Sequence, residues 1–331
     1  MIVAKDKKKQ LIFISIKLLF ALLCIVLLVY NIKTASLLAA FSIITKTKTW
    51  VIIFLTSAIA LFLAANLTIE TVKWHLLVSQ YGGSFKNSFK QVLGGIAGGF
   101  VSPNRIGDPF TRSYMLPPKF RVRGLLPATF CSFSQLLATA IFGSLALIHI
   151  SSSTLPGIFK LAISQLIIVA LAAILIWFAM RFFENRIGKL RMSRALLVVG
   201  LSLIRYFVFC TQLWLIFLLF SPSIKFEPMF FAVALTFLAN AAIPSFSFTE
   251  LGVRAAGASL FFPMFGIDAT LAALATILLW FVNMMIPAIP GMFFLISNGI
   301  SLEELKTFKN KVLGKATIQQ ADKSASITNP D

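Results

Sequence analysis

Acidic and imidazole side chains are what this chain most lacks. Its 331 residues hold 11 aspartates plus glutamates and two histidines, against 30 lysines plus arginines. All charged residues together make up 12%, about half the share of an ordinary soluble domain. Too little charge is present to cover a water-soluble surface of usual composition. The histidines, His75 and His149, stand far apart and supply neither a metal cluster nor a nucleophile–base pair. Cys24, Cys131 and Cys210 fall inside apolar segments, lack metal-ligand spacing and suit no disulfide framework, so they read as small hydrophobes. Neither a phosphate-binding G-x-x-x-x-G-K-[ST] loop nor a G-x-S-x-G elbow occurs. These gaps, and the lack of a sizeable soluble stretch, argue against an enzyme and give no reason to expect a cofactor or metal.

What the chain does have is apolar length. Hydrophobic residues make up 58% of it, and the mean hydropathy is +0.91. Apolar runs of roughly 20 residues recur, enough to cross a hydrocarbon core of about 30 Å. The expected fold is an all-α polytopic membrane protein. Full spans are expected near 11–30, 50–72, 125–150, 158–181, 195–220 and 268–298, with 11–30 read as a retained first span and not a signal peptide. Two apolar pieces, 91–103 and 227–265, do not fit single crossings. The first is too short, and the second is interrupted at Pro244, so both are expected as broken or re-entrant helical elements. Residues 1–300 then form a single integral membrane domain. Its polar tail, 301–331, is expected in the cytoplasm, partly disordered.

The net charge of +19 fits topology better than nucleic acid, because the basic residues lie in short loops between apolar segments. If both broken pieces dip in and return, one side carries 22 basic residues and the other 5. That places the N- and C-termini in the cytoplasm, and the expected location is a bacterial-type cell (inner) membrane. Two halves emerge, about 11–150 and 158–298, each with two spans, a break and a span, in opposite orientation. Pro103 and Pro244 mark matching breaks. Paired, interrupted segments of this kind occur in inverted-repeat transporters, near a midplane binding site.

The charges inside the membrane segments gather at those breaks. "GGIAGG" (94–99) offers small residues four apart for close helix packing. After Pro103 come Arg105, Gly107, Asp108, Pro109 and Arg112. Asp108 reads as an N-cap, with Pro109 at the first helical position and Arg112 one turn on, within reach of Asp108. A helix start beside two guanidiniums favours a phosphate or carboxylate. The equally open alternative is that Asp108 caps, Arg112 pairs with it and Arg105 only sets topology. At the second break, Ser247 and Glu250 have capping-box spacing, Glu250 and Arg254 stand at i,i+4, and Gly252 and Gly257 keep that face thin. Arg205 lies deep in an expected span and is the sixth candidate for substrate contact, with Arg105, Asp108, Arg112, Glu250 and Arg254. Glu70 and Lys73 bracket the cytoplasmic end of the second span and stand close enough to pair.

At these residues the sequence resembles a known family. "SPNRIGDPFTRSYML" resembles the first motif, and "IPSFSFTELGVRAAGASLFF" the second motif, of the lysylphosphatidylglycerol synthase transmembrane-region family, also called flippase-like membrane proteins. The resemblance extends over about 10–300. Asn104 stands where that family usually has glycine, Thr249 where it usually has glycine, and Ala255 where it usually has glutamate. The resemblance implies binding or translocation of a lipid headgroup. Lysyl transfer is not implied, since that belongs to an additional soluble domain. Three readings follow: a translocase for an anionic or phosphate-bearing lipid, a non-catalytic membrane accessory or scaffold for a lipid- or glycan-modifying enzyme, or a small-solute secondary transporter. The expected partner is a membrane lipid with an anionic headgroup, not nucleic acid. The sequence leaves the oligomeric state open.

Overall fold

The computed structural model describes residue 26, residues 33–81, 83–102, 105–151, 192–242 and 247–300, and six positions between 304 and 312. Among the described residues every regular element is helical. In chain order these are α1 (Thr34–Lys46), α2 (Thr49–Val78), α3 (Phe85–Phe100), α4 (Gly107–Tyr114), α5 (Arg121–Ser151), α6 (Met192–Leu218), α7 (Phe226–Ala242), α8 (Ser247–Phe261), α9 (Ala269–Trp280) and α10 (Ile286–Ser297). A π-helical turn, Phe281–Met285, joins α9 to α10.

Four helical stretches are long and apolar enough to cross a membrane: Thr49–Tyr81, Pro118–Ile150, Ser193–Leu218 and Ala269–Ser297. They match four of the six expected spans. The other two, 11–30 and 158–181, lie outside the described residues apart from Val26, as do Pro103, Pro244 and most of the tail. Residues 31–49, expected as a connecting loop, contain the 13-residue helix α1. Its apolar run between Lys33 and Lys46 is too short to span but long enough for three helical turns. The Ser36 hydroxyl ties it to Asp268 at 2.9 Å, and the Lys33 backbone N–H donates to Thr270 Oγ1 at 2.9 Å.

The two irregular pieces fold as helical hairpins. Gly94 faces Met115, Gly95 faces Asp108 and Arg112, and Gly98 faces Thr111 and Gly107. Residue numbers rise on one helix as they fall on the other, so α3 and α4 are antiparallel. Any side chain at Gly95 or Gly98 would overlap α4, which is why the small-residue face is needed. α3 starts at Phe85, earlier than expected, and is capped by Ser84, whose hydroxyl accepts the Asn87 N–H at 3.3 Å. In the second hairpin α8 folds back on α7, with Gly257 against Thr236 and Asn240. Gly252, expected to thin a packed face, has open space around it.

The hairpins are packed in a crossed manner. α3 lies against α10, and α7 lies against α5. Gly291 of α10 admits the Leu93 carbonyl of α3 at a distance no side chain would allow. α4 packs on α5, α8 packs on α9, and α2 meets α6. Two buried apolar clusters result. One surrounds Tyr206, Phe217, Met229 and Phe262; the other surrounds Trp74, Val92, Ile96 and Cys131 next to the first hairpin. Cys131 and Cys210 are buried free thiols, as expected of small hydrophobes.

Candidate functional site: a cationic cavity beside a buried charge network

The site begins on α2. Glu70 is 4% exposed, and its carboxylate receives charged donors from three elements. Arg112 Nη1 of α4 donates to Oε1 at 2.6 Å, Arg205 Nη1 of α6 to Oε2 at 2.8 Å, and Lys73 Nζ to Oε2 at 3.1 Å. Lys73 is fully buried and also donates to the Cys131 carbonyl at 3.2 Å. Burying a carboxylate is costly unless it is paired and hydrogen-bonded. Glu70 meets both conditions. The expected Glu70–Lys73 pair therefore exists, but it sits in the interior, and Lys73 is not a loop charge that sets topology.

Arg112 is also interior, 5% exposed. It grips Asp108 with two N–H groups, Nε to Oδ1 and Nη2 to Oδ2, the latter at 3.0 Å. This changes the role expected of Asp108. The helix α4 starts at Gly107, its flanking Ile106 has no side-chain cap bond, and Asp108 spends both oxygens on Arg112. A bidentate pair between two full charges outweighs a single bond to a backbone N–H, and the helix has already begun at Gly107, so the arginine holds the carboxylate.

From Glu70 a chain of polar groups continues between the apolar helices. Arg205 Nε donates to Asn66 Oδ1 at 2.5 Å, Asn66 Nδ2 to Asn283 Oδ1 at 2.6 Å, and Asn283 Nδ2 to Gln212 Oε1 at 2.7 Å. Gln212 Nε2 closes the chain on the Ile59 carbonyl at 3.1 Å. Asn283 lies in the π-helical turn, a distortion that often marks a site with a task.

Beside this network is a cavity of about 370 Å3. Arg105, Arg205 and Arg254 line it, with Glu250 as the one carboxylate. Its walls mix polar groups, including Gln135 and Asn240, with the rings of Phe209 and Phe237. Gln135 lies in the middle of α5 and Arg205 in the middle of α6, so the cavity opens halfway along two apolar helices. Arg105 belongs to the turn of the first hairpin, and Glu250 and Arg254 belong to the first turns of α8 in the second. Both breaks therefore reach the same cavity.

The three arginines are held differently. Arg254 donates twice to Glu250 Oε1, from Nε at 2.9 Å and Nη2 at 2.6 Å, and its guanidinium lies 5.9 Å from the Phe237 ring centroid. Arg205 is anchored by Glu70 and Asn66 and lies 5.2 Å from the Phe209 ring centroid. Arg105 has its Nε buried without a hydrogen-bond partner. Its backbone is left-handed, φ 55°, a rare conformation for a residue with a side chain. Asn240 likewise has both amide atoms buried without a partner. An unmade hydrogen bond at a buried donor costs about 1–3 kcal/mol. Unmet donors and a strained backbone in one place mark a site that a ligand can complete.

Of the six candidates, the structure brings Arg105, Arg205, Glu250 and Arg254 to the cavity. It turns Asp108 and Arg112 away, into the Glu70 network. The Glu250–Arg254 pair forms as the spacing predicts, while the Ser247 side chain lies outside the described residues. Sequence reading missed Asn66, Gln135, Gln212, Asn240 and Asn283. Their signal was present: each is an amide inside an otherwise apolar helix, where an unsatisfied polar group is costly. No group of three or more metal-ligating side chains occurs among the described residues.

No protein-family model matches the chain, and no curated protein matches it.

Proposed function

We propose that this protein is a flippase-like membrane protein that binds an anionic or phosphate-bearing lipid headgroup in the cavity between its two hairpins and carries it across the membrane. The observation that carries this reading is the convergence of Arg105, Arg205 and Arg254, from three separate elements, on one cavity with a single carboxylate, Glu250. With the adjoining network included, Lys73, Arg105, Arg112, Arg205 and Arg254 face Glu70, Asp108 and Glu250, an excess of two positive charges that a phosphate neutralises, and arginine's planar fork matches phosphate geometry. The unmet Nδ2 of Asn240 and the unmet Nε of Arg105 add donors that a bound headgroup satisfies.

The wider architecture in this reading is six spans with two re-entrant hairpins, related as inverted repeats, with both termini in the cytoplasm of a bacterial-type cell. The crossed packing supports it. α3 against α10 and α7 against α5 exchange under a two-fold operation, and so do α4 on α5 and α8 on α9. Asp108 with Arg112 and Glu250 with Arg254 stand 142 residues apart in sequence. The resemblance to the lysylphosphatidylglycerol synthase transmembrane-region family points the same way.

One observation favours a second reading, a membrane scaffold that moves nothing. Arg112, the most conspicuous charge of the first motif, is already satisfied by Asp108 and Glu70. A headgroup-accessibility assay separates the two. In vesicles containing the purified protein, the translocase exposes the inner-leaflet population of at least one labelled anionic lipid from a panel, faster than protein-free vesicles. Equal rates for every lipid in the panel leave the scaffold.

A further inference from the structure

We infer that Glu70 and Asn66, neither of which lines the cavity, are positioning residues for headgroup binding: together they hold the Arg205 guanidinium so that its Nη2 is the donor left for the ligand. This rests on the reading of the cavity as an anionic headgroup site.

Arg205 has five N–H donors. Asn66 Oδ1 takes Nε at 2.5 Å, and Glu70 Oε2 takes Nη1 at 2.8 Å, with Gln135 Oε1 at 3.4 Å from the same nitrogen. Nη2 makes no hydrogen bond among the described residues, and the side chain lines the cavity. Two acceptors on different nitrogens of a planar fork fix both its place and its plane. The acceptors are themselves fixed. Asn66 is held by Asn283, and Glu70 by Lys73 and Arg112. A guanidinium oriented in advance loses less freedom when it binds, and the gain appears as affinity. Glu70 also joins Arg205 to Arg112 of the first hairpin, so the element that supplies Arg105 and the helix that supplies Arg205 share one carboxylate.

The alternative role for these residues is general stability, and a double-mutant cycle separates it from positioning. The full-length purified protein is delipidated and titrated with phosphatidylglycerol, with phosphatidylcholine as the control, and bound lipid is counted by native mass spectrometry. Wild type binds phosphatidylglycerol in preference. Glu70→Gln and Asn66→Leu each weaken that binding about tenfold. In an Arg205→Gln background neither substitution weakens it further, because the group they orient is gone. Asn66→Leu removes no charge and keeps the test open if Glu70→Gln does not fold. Unchanged or tighter binding by Asn66→Leu overturns the inference. So does a tenfold loss that persists in the Arg205→Gln background. Wild type without preference for phosphatidylglycerol or any other anionic lipid tested alongside it overturns the reading of the cavity itself, and this inference with it.

Discussion

Asp108 and Arg112 in the first hairpin, and Glu250 and Arg254 in the second, share spacing, order and position in the first turns of a helix, yet their surroundings differ. Arg112 is buried and touches two carboxylates, Asp108 and Glu70. The Arg254 side chain is 25% exposed, pairs with one carboxylate among the described residues, Glu250, and lines the cavity. The neighbouring helix makes the difference. α2 brings Glu70 to the first pair. The residue 142 positions later, matching the offset between the pairs, is Gln212, an amide that bonds Asn283 and the Ile59 carbonyl. One arginine is neutralised twice in the interior, while the other is paired once and faces the cavity. A local motif therefore does not carry a role by itself; the charge that the next helix presents assigns it.

The sharpest way to break this comparison is to remove each arginine in turn. Arg112→Gln leaves Asp108 and Glu70 short of a buried partner and is expected to cost about 3–5 kcal/mol of stability. Arg254→Gln, which leaves one mostly buried carboxylate that faces the cavity, is expected to cost less, about 1–2 kcal/mol. Denaturant unfolding of both variants in one detergent checks this, and equal losses would remove the distinction.

A smaller effect is expected from the glycines that each hairpin places near its pair. A Cβ at Gly95 meets Asp108 and lies 2.5 Å from Arg112 Cγ, so Gly95→Ala should cost about 1–3 kcal/mol. Gly252 has open space around it, so Gly252→Ala should be neutral or stabilise by up to about 1 kcal/mol through helix propensity. Melting temperatures that move in the same direction for both would show that the first hairpin is not the tighter of the two.

Arg105 sharpens the comparison from the ligand side. Arg105→Gly relieves the left-handed backbone and removes a charge whose Nε has no partner. Stability is expected to hold or rise by about 1 kcal/mol, while anionic-lipid affinity falls about tenfold. A loss of stability with unchanged affinity would make Arg105 a structural residue like Arg112. The smallest change is expected for Arg254→Lys, which keeps the charge and loses the fork. Affinity about threefold weaker than wild type, measured by the same titration, fits the loss of one net hydrogen bond.

Much of this was legible in sequence. Apolar length announced four helices that the structure contains, and Pro and Gly at 103, 94–99 and 244 announced the two hairpins. The i,i+4 spacing announced both acid–arginine pairs, because such contacts are local. Glu70 as a shared carboxylate was not legible. Its partners Arg112 and Arg205 stand 42 and 135 residues away, and no period in one helix reveals which helices will meet. Asp108 was expected both to cap its helix and to reach Arg112; the structure keeps the pair and not the cap. Its preference for Arg112 depends on a buried setting, where an unpaired guanidinium would be costly. α1 was missed for a different reason: its apolar residues lie between lysines, and length alone set the threshold for a helix.

The central claim is that the cavity, and not the buried network, receives the headgroup. Its most direct test is translocation of a labelled anionic lipid in vesicles by wild type and by an Arg105→Gln/Arg254→Gln double variant whose insertion and melting temperature match wild type. The account predicts that wild type moves the lipid and that the folded double variant falls to the rate of protein-free vesicles. Full translocation by the stable double variant would contradict it.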